Sequence, residues 1–422
     1  MRYPAYPEYR PSQIEWVQTV PVGWEECSTK MNFLMQLGKM LQNEPSGLPD
    51  VEITYLKALH VNWNRVTTED LPKMWASPSE RENYAVQNGD LLVCEGGEVG
   101  RAAIIRCLEE PAIIQNALHR LRGNSRGDVR YFSYLLRHIA DAGWFAVLCN
   151  KATIAHLTGE KLGAIYMPVP TVTEQQKIAA FLDWKTAQID ALIAKKQELI
   201  AKLKEKRLAV ITQAVTKGLD PTAPMCDSGI PRLGEVPKHW AVLQIGRMIT
   251  LQRGVDITKD EQEDGDVPVI SSGGIASYHN VVLVKGPGVI VGRKGTAGAL
   301  YYIDADYWPH DTTLYVREYW SNHPRYVYYK LLSMDLASYD TGTANPTVNR
   351  NRVHPEIVSW PPLDEQFEIA RYLDSASKNI DCMISKGTEA IAHLTEYRSA
   401  LITAATTGKI DLRGWQAEKE AA

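Results

Sequence analysis

Two glycine-rich stretches put cations on tight turns: "GGEVGR" ends in Arg101, and "GRKGTAG" carries Arg293 and Lys294. A third stretch, "TGTANPTVNRNRV" (341–353), is a polar loop with Asn345, Asn349, Arg350 and Arg352. Arg pairs bidentately with guanine and Asn with adenine, and Arg or Lys neutralises phosphate, so turns of this composition can approach a nucleic acid. Lys57, which closes the run "DVEITYLK", is taken with them as a DNA-binding candidate. The bland alternative for the glycine turns is a hairpin with solvated charges. For the polar loop it is an ordinary capped loop leading to the last strand.

No spacing in the chain completes a reaction centre. "TTGKI" (406–410) resembles the tail of a phosphate-binding loop, but Ile410 stands where Ser or Thr should bind magnesium. "LPDVEITYLK" lacks the E-x-K spacing of a nuclease metal site, and "ANPTVN" and "SWPPL" depart from the N/D-P-P-Y pattern of an amino-methyltransferase. The ten histidines show no H-x-x-x-H or H-E-x-x-H spacing. The expectation is a chain that catalyses nothing and holds no metal or cofactor of its own. Its six cysteines are scattered without a C-x-x-C pair, which indicates neither a disulfide framework nor a structural zinc site and predicts small buried apolar residues. No run of eighteen uncharged apolar residues occurs, and "MRYPAYPEYR" lacks the apolar stretch of a signal peptide, so a cytoplasmic protein without membrane contact is expected. A net charge of −4 opposes a free-standing nucleic-acid binder unless the charges are unevenly placed.

What positions the loops is a duplicated framework. Segment 174–220 recurs without a gap as 365–411, with 22 of 47 positions identical. The shared apolar positions, Ile178/Ile369, Leu182/Leu373, Ile189/Ile380 and Leu203/Leu394 among them, fall at helical steps and predict one long helix per copy. Thr173 and Asp364 are expected as N-caps, with a capping box to Gln176 in the first copy only, and Gly218 and Gly408 as stops. A rod of roughly 60 Å with one apolar stripe needs a partner, and the other copy supplies it as a coiled coil. Lys185, Lys196 and Lys206 interrupt that seam and are expected to snorkel along its edge.

Upstream, "VPVGW" (20–24) answers "VPKHW" (236–240), "GGEVGRAAII" answers "KGTAGALYYI", and "YFSYLLRH" answers "YVYYKLLS". The preceding regions share architecture and differ in nearly every side chain. Short β-branched and aromatic runs broken by Gly, Pro and Asn read as strands, with one short helix each near "YFSYLLRHI" and "RYVYYKLLS". The fold class is therefore α+β: two mixed α/β domains, 1–172 and 219–363, separated by two long helices, 173–218 and 364–408, with a tail at 409–422.

These features resemble the specificity subunit of a type I restriction-modification system. The likeness is carried by "TEQQKIAAFLDWKTAQIDALI" and "DEQFEIARYLDSASKNIDCMI", by the helix ends "KRLAVITQAVTKGLD" and "YRSALITAATTGKID", and by the entry "SGIPRLGEVPKHW". It spans the whole chain, although the first entry, "PSQIEWVQTVPVGWEE", matches loosely. The resemblance implies two target-recognition domains, each reading one half of a bipartite asymmetric site in double-stranded DNA. It implies that the conserved helices pair antiparallel and dock two modification (methyltransferase) subunits. S-adenosylmethionine would then bind in the modification subunits, and ATP and Mg in separate restriction subunits. The alternative from another class is a coiled-coil adaptor with two protein-binding domains.

Overall fold

The computed structural model describes residues 3–148, 156–340 and 346–417. The chain forms two compact units, one of residues 1–195 and 390–422, the other of residues 196–389. The division falls inside both long helices, Val172–Lys217 and Leu363–Thr406, and not at their ends. The reason lies in what each half of a helix buries.

In unit 1 a four-stranded antiparallel sheet runs in the order Ala102–Ile104, Leu91–Cys94, Leu118–Gly123, Phe33–Leu37. A three-stranded sheet beside it runs Ala112–Ile114, Val51–Leu56, Lys73–Ala76, the first pair parallel and the second antiparallel. Unit 2 repeats both. Its four strands run Leu300–Ile303, Gly288–Gly292, Thr313–Glu318, Thr250–Arg253. Its three run Trp308–Pro309, Val267–Ser271, Gly274–His279, again one parallel and one antiparallel pair. Side chains change between the units while the strand order does not.

The central strands "LLVC" and "GVIVG" are buried at every residue. Their alternation serves two cores, because successive side chains point to opposite faces. Leu91 and Val93 join the core that holds the domain helix Val129–Asp141, while Leu92 and Cys94 join a second core beneath the three-stranded sheet. In unit 2, Val289 and Val291 face the main core and Ile290 the lesser one.

Beyond the expected domain helices, Val129–Asp141 and Pro324–Leu332, unit 1 also holds Pro78–Asn83, Trp144–Leu148 and Gly159–Ala164. The long helices pack antiparallel within each unit. In unit 1, Ile178, Leu182 and Ile189 share a core with Leu401, Ile402 and Ala405, and Leu394 packs partly buried against it. In unit 2, Ile369 and Leu373 meet Ile211, Ala214 and Val215, and Gly387 lies against Ile200. Ile380 is buried and Leu203 half-buried. At its ends the stripe is more than a two-helix seam, because Phe132 and Leu135, or Val327 and Leu331, from the domain helix complete each core. Lys185 is half-buried with its ammonium 4.9 Å from the Trp184 ring centre.

Three expectations need correcting. The helices begin at Val172 and Leu363, so Thr173 and Asp364 lie inside the first turn. Thr171 caps the first helix instead, its Oγ1 accepting from Glu174 N at 3.4 Å, and Pro362 opens the second through its carbonyl alone. No capping box to Gln176 exists. Of the described cysteines only Cys94 is buried; Cys27 and Cys226 are half-buried, and Cys107 in a loop and Cys382 on a helix face are exposed. Cys149 lies outside the described residues. Gly218 and Gly408 do end the helices, with φ of 78° and 72°.

Both chain ends close unit 1. The Tyr3 and Trp415 rings pack edge-on against Phe181 at 5.0 and 5.3 Å, Leu412 is buried, and Asp411 N donates to Pro4 O at 2.7 Å. Among the described residues no helix is long and apolar enough to cross a membrane.

Candidate nucleic-acid interface

In unit 2 the loops picked out by composition converge. Arg293 and Lys294 follow the buried strand Gly288–Gly292, and both backbone N–H groups donate to Thr312 O, at 2.8 and 3.1 Å. Val348 N donates to Arg293 O at 2.9 Å, and Lys294 bridges Thr347, which draws the polar loop onto the glycine turn. Asn349 accepts from Asn351 N at 2.9 Å and so caps the short helix Arg350–Val353. Arg350 is exposed and reaches Leu251 O at 3.4 Å. Arg352, also exposed, donates to the Asp340 carbonyl. Asn345 lies outside the described residues.

The turn needs its glycines. Gly298 has φ of 82°, and a Cβ there would stand 2.8 Å from the Ala337 backbone N. Its counterpart Gly100 has φ of 76°, and a Cβ would meet the Phe145 ring at 2.2 Å. In each unit the loop is pinned against the segment after the domain helix.

Sequence reading missed Arg253 and Asp311. Arg253 Nη2 lies 2.6 Å from Asp311 Oδ2, and Arg293 Nη1 donates to Asp311 O at 3.3 Å. Arg253 ends the strand "TLQR", where it reads as an ordinary strand polar residue, so only the fold brings it to the glycine turn. Asp256, His310 and Asp311 are the one group among the described residues whose ligand atoms could converge on a metal. Asp256 is exposed and the Asp311 carboxylate is already engaged by Arg253, so the charge a cation would neutralise is largely met.

Unit 1 is built differently at the same place. Arg101 turns inward: Nη2 donates to Ala58 O at 2.9 Å, Nη1 pairs with Glu98 at 3.2 Å, and Nε is buried without a hydrogen bond. Lys57 is half-buried at the start of the turn Ala58–His60, so Lys57 and Arg101 sit on touching loops. The Trp63 indole donates to Glu98, bracing the turn further.

The repeated motif holds these domains in place, and each of its polar residues has the same task twice. Glu174 accepts from Trp24 Nε1 at 3.2 Å, and Glu365 from Trp240 Nε1 at 2.7 Å. Gln175 accepts from Asp128 N at 2.8 Å at the start of the domain helix and donates to Arg126 O and Pro170 O. Gln366 accepts from His323 N at 2.9 Å and donates to Asn322 Oδ1 and Pro361 O. Asp183 takes Tyr134 and Arg130, and Asp374 takes Tyr329 and Arg325. Asp190 pairs with Arg398, and Asp381 with Arg207.

A family model described as "Type I restriction modification DNA specificity domain" matches residues 76–204 and again 237–390, each time part of a recognition domain and the first part of the long helix that follows. The chain belongs to this type I restriction-modification specificity family. Among its relatives is the type I restriction enzyme EcoBI specificity subunit of Escherichia coli, 23% identical over 372 residues, covering 80% of this chain and 77% of that one. The specificity fold is also met in a solved type I restriction-modification assembly, with TM-score 0.73 at 13% identity over 93% of this chain and 99% of the other. The HsdS subunit from Thermoanaerobacter tengcongensis matches with TM-score 0.56 at 14% identity over 94% and 100%. The chain is thus a specificity protein with two DNA-recognition domains.

Proposed function

We propose that this specificity chain reads a bipartite, asymmetric site in double-stranded DNA, one half-site per unit, and that it has no active site of its own. The observation that carries this reading is one scaffold used twice with different loops: strand order and framework contacts repeat, while the turns at 96–101 and 292–298 carry different charges on different braces. Arg293, Lys294 and Arg350 form the core of the DNA-facing set in unit 2, with Asn345, Asn349 and Arg352 in the same loop. Lys57 and Arg101 are their counterparts in unit 1, Arg101 acting mainly by holding its loop. The long helices dock two modification subunits, which bind S-adenosylmethionine and methylate, and restriction subunits, which use ATP and Mg to cut. Partner subunits supply much of the cationic surface, which reconciles DNA binding with a net charge of −4. The site of action is the cytoplasm.

The test is exchange. Replacing residues 219–363 by the corresponding domain of another specificity subunit should change one half of the methylated sequence and leave the other intact. Single-molecule methylation sequencing that finds both halves altered, or neither, rejects the assignment of one half-site per unit. A gel shift that detects no DNA binding with modification subunits present favours a protein-binding adaptor.

A further inference from the structure

Asp311 is an acid placed among cations. Its carboxylate holds Arg253, its carbonyl holds Arg293, and the adjoining Thr312 carbonyl receives the backbone N–H of Arg293 and Lys294. Burial pushes the Asp311 carboxyl up, but the Arg253 hydrogen bond and the charges of His310, Arg253 and Lys294 outweigh it and hold it below the ordinary value. The carboxylate is ionised at neutral pH. On a surface that meets phosphates such a charge repels the ligand, so it needs a compensating role.

The geometry gives it one. Arg253 is 53% exposed, and Nη2 is anchored on Asp311 while Nη1 and Nε make no hydrogen bond among the described residues. Anchoring Nη2 through one of its two N–H bonds restrains the plane of the guanidinium, and the other Nη2 N–H still makes a two-donor edge with Nε or with Nη1. A phosphate contact needs no fixed plane and is weakened by a neighbouring carboxylate. Bidentate reading of guanine O6 and N7 needs the fixed plane. We propose that Arg253 is a specificity-determining residue that reads a guanine in the half-site of unit 2, and that Asp311 is its positioning residue. This rests on the DNA-reading function proposed above.

The experiment uses the full chain assembled with its modification subunits and reads the methylated motif from a plasmid library by single-molecule sequencing. The unaltered chain should mark a motif with guanine at one fixed position of the unit 2 half-site. Arg253→Ala and Arg253→Lys should each lose that preference by roughly 5- to 150-fold, the span of one bidentate pair, with every position of the other half-site unchanged. Asp311→Asn should relax the same position, and Asp311→Glu should restore it, which a merely structural role would not do. If Arg253→Ala weakens all sequences equally and keeps the motif, Arg253 is a phosphate contact and the proposal is wrong. Should Arg253→Ala fail to assemble, Arg253→Lys keeps the charge and stem, and an unchanged motif in that variant overturns the proposal equally. A chain that marks no bipartite motif before any substitution rejects the functional reading itself, and the residue assignment with it.

Discussion

Arg398 grips Asp190 through two nitrogens, Nε at 2.9 Å and Nη2 at 3.4 Å, across the paired helices of unit 1. The same pair recurs in unit 2 as Arg207 and Asp381, through Nη1 alone at 2.8 Å. The Arg398 side chain is 11% exposed and Arg207 39%, so solvent screens the second pair more. Double-mutant cycles with alanine should give a coupling of about 1 kcal/mol for Arg398–Asp190 and less than about 0.5 kcal/mol for Arg207–Asp381. Equal couplings would show that burial does not set the difference.

Gln175 and Gln366 are buried, and each makes three hydrogen bonds, one of them to the N-cap residue of a domain helix. Replacing either by Ala leaves buried groups without partners and should cost about 2–4 kcal/mol. Hydrogen exchange should localise the loss to unit 1 for Gln175→Ala and to unit 2 for Gln366→Ala. Loss of protection spread equally over both units in either variant would refute the local role.

How much of this was legible is clearest at these residues. The duplicated stripe of Ile178, Leu182 and Ile189 declares itself by spacing, because a periodic apolar face has few structural uses. The glutamines do not. Gln175 next to Gln176 offers no sign in one dimension of which will accept from the N-cap residue of a helix, Asp128, 47 positions upstream. Thr171 and Thr173 both suit a cap, and only the exit of the preceding strand decides for Thr171. In the loops, composition marked Arg293 and Arg350 but not Arg253, since a strand-end arginine acquires its meaning only from the acid the fold sets beside it.

Lys330 is a second case of meaning supplied by the fold. It is 2% exposed, its Nζ donates to Val215 O at 2.9 Å, and burial, with the charge of Arg232, pushes its pKa down to about 7. That lies below the unfolded value, so between about pH 7 and pH 10.4 the unfolded chain binds the extra proton and stability rises with pH. Lys330→Met should remove that slope and stabilise unit 2 at neutral pH, by on the order of 4 kcal/mol less the lost hydrogen bond. Denaturant titrations at pH 7 and pH 10 read both effects. An unchanged slope in the variant would mean that the ammonium is solvated.

Gly298→Ala should displace the 292–298 turn, since the residue is left-handed and a Cβ meets the Ala337 backbone. The expected cost is about 1–3 kcal/mol. DNA affinity should fall through the unit 2 half-site, although residue 298 presents no polar side chain. Gly100→Ala should do the same for unit 1. Unaltered binding by an assembled Gly298→Ala chain would free the turn from any role in recognition.

The split of unit 1 between both chain ends also sets an order of manufacture. Unit 2 is one unbroken stretch of sequence, whereas the core of unit 1 needs Leu401, Ile402, Ala405 and Leu412, which leave the ribosome after all of unit 2. At ordinary synthesis rates the stripe of Ile178, Leu182 and Ile189 waits for its partner helix for about 10–40 s. The domain made first is the domain finished last, and the nascent chain carries an adhesive apolar face for about half of its synthesis.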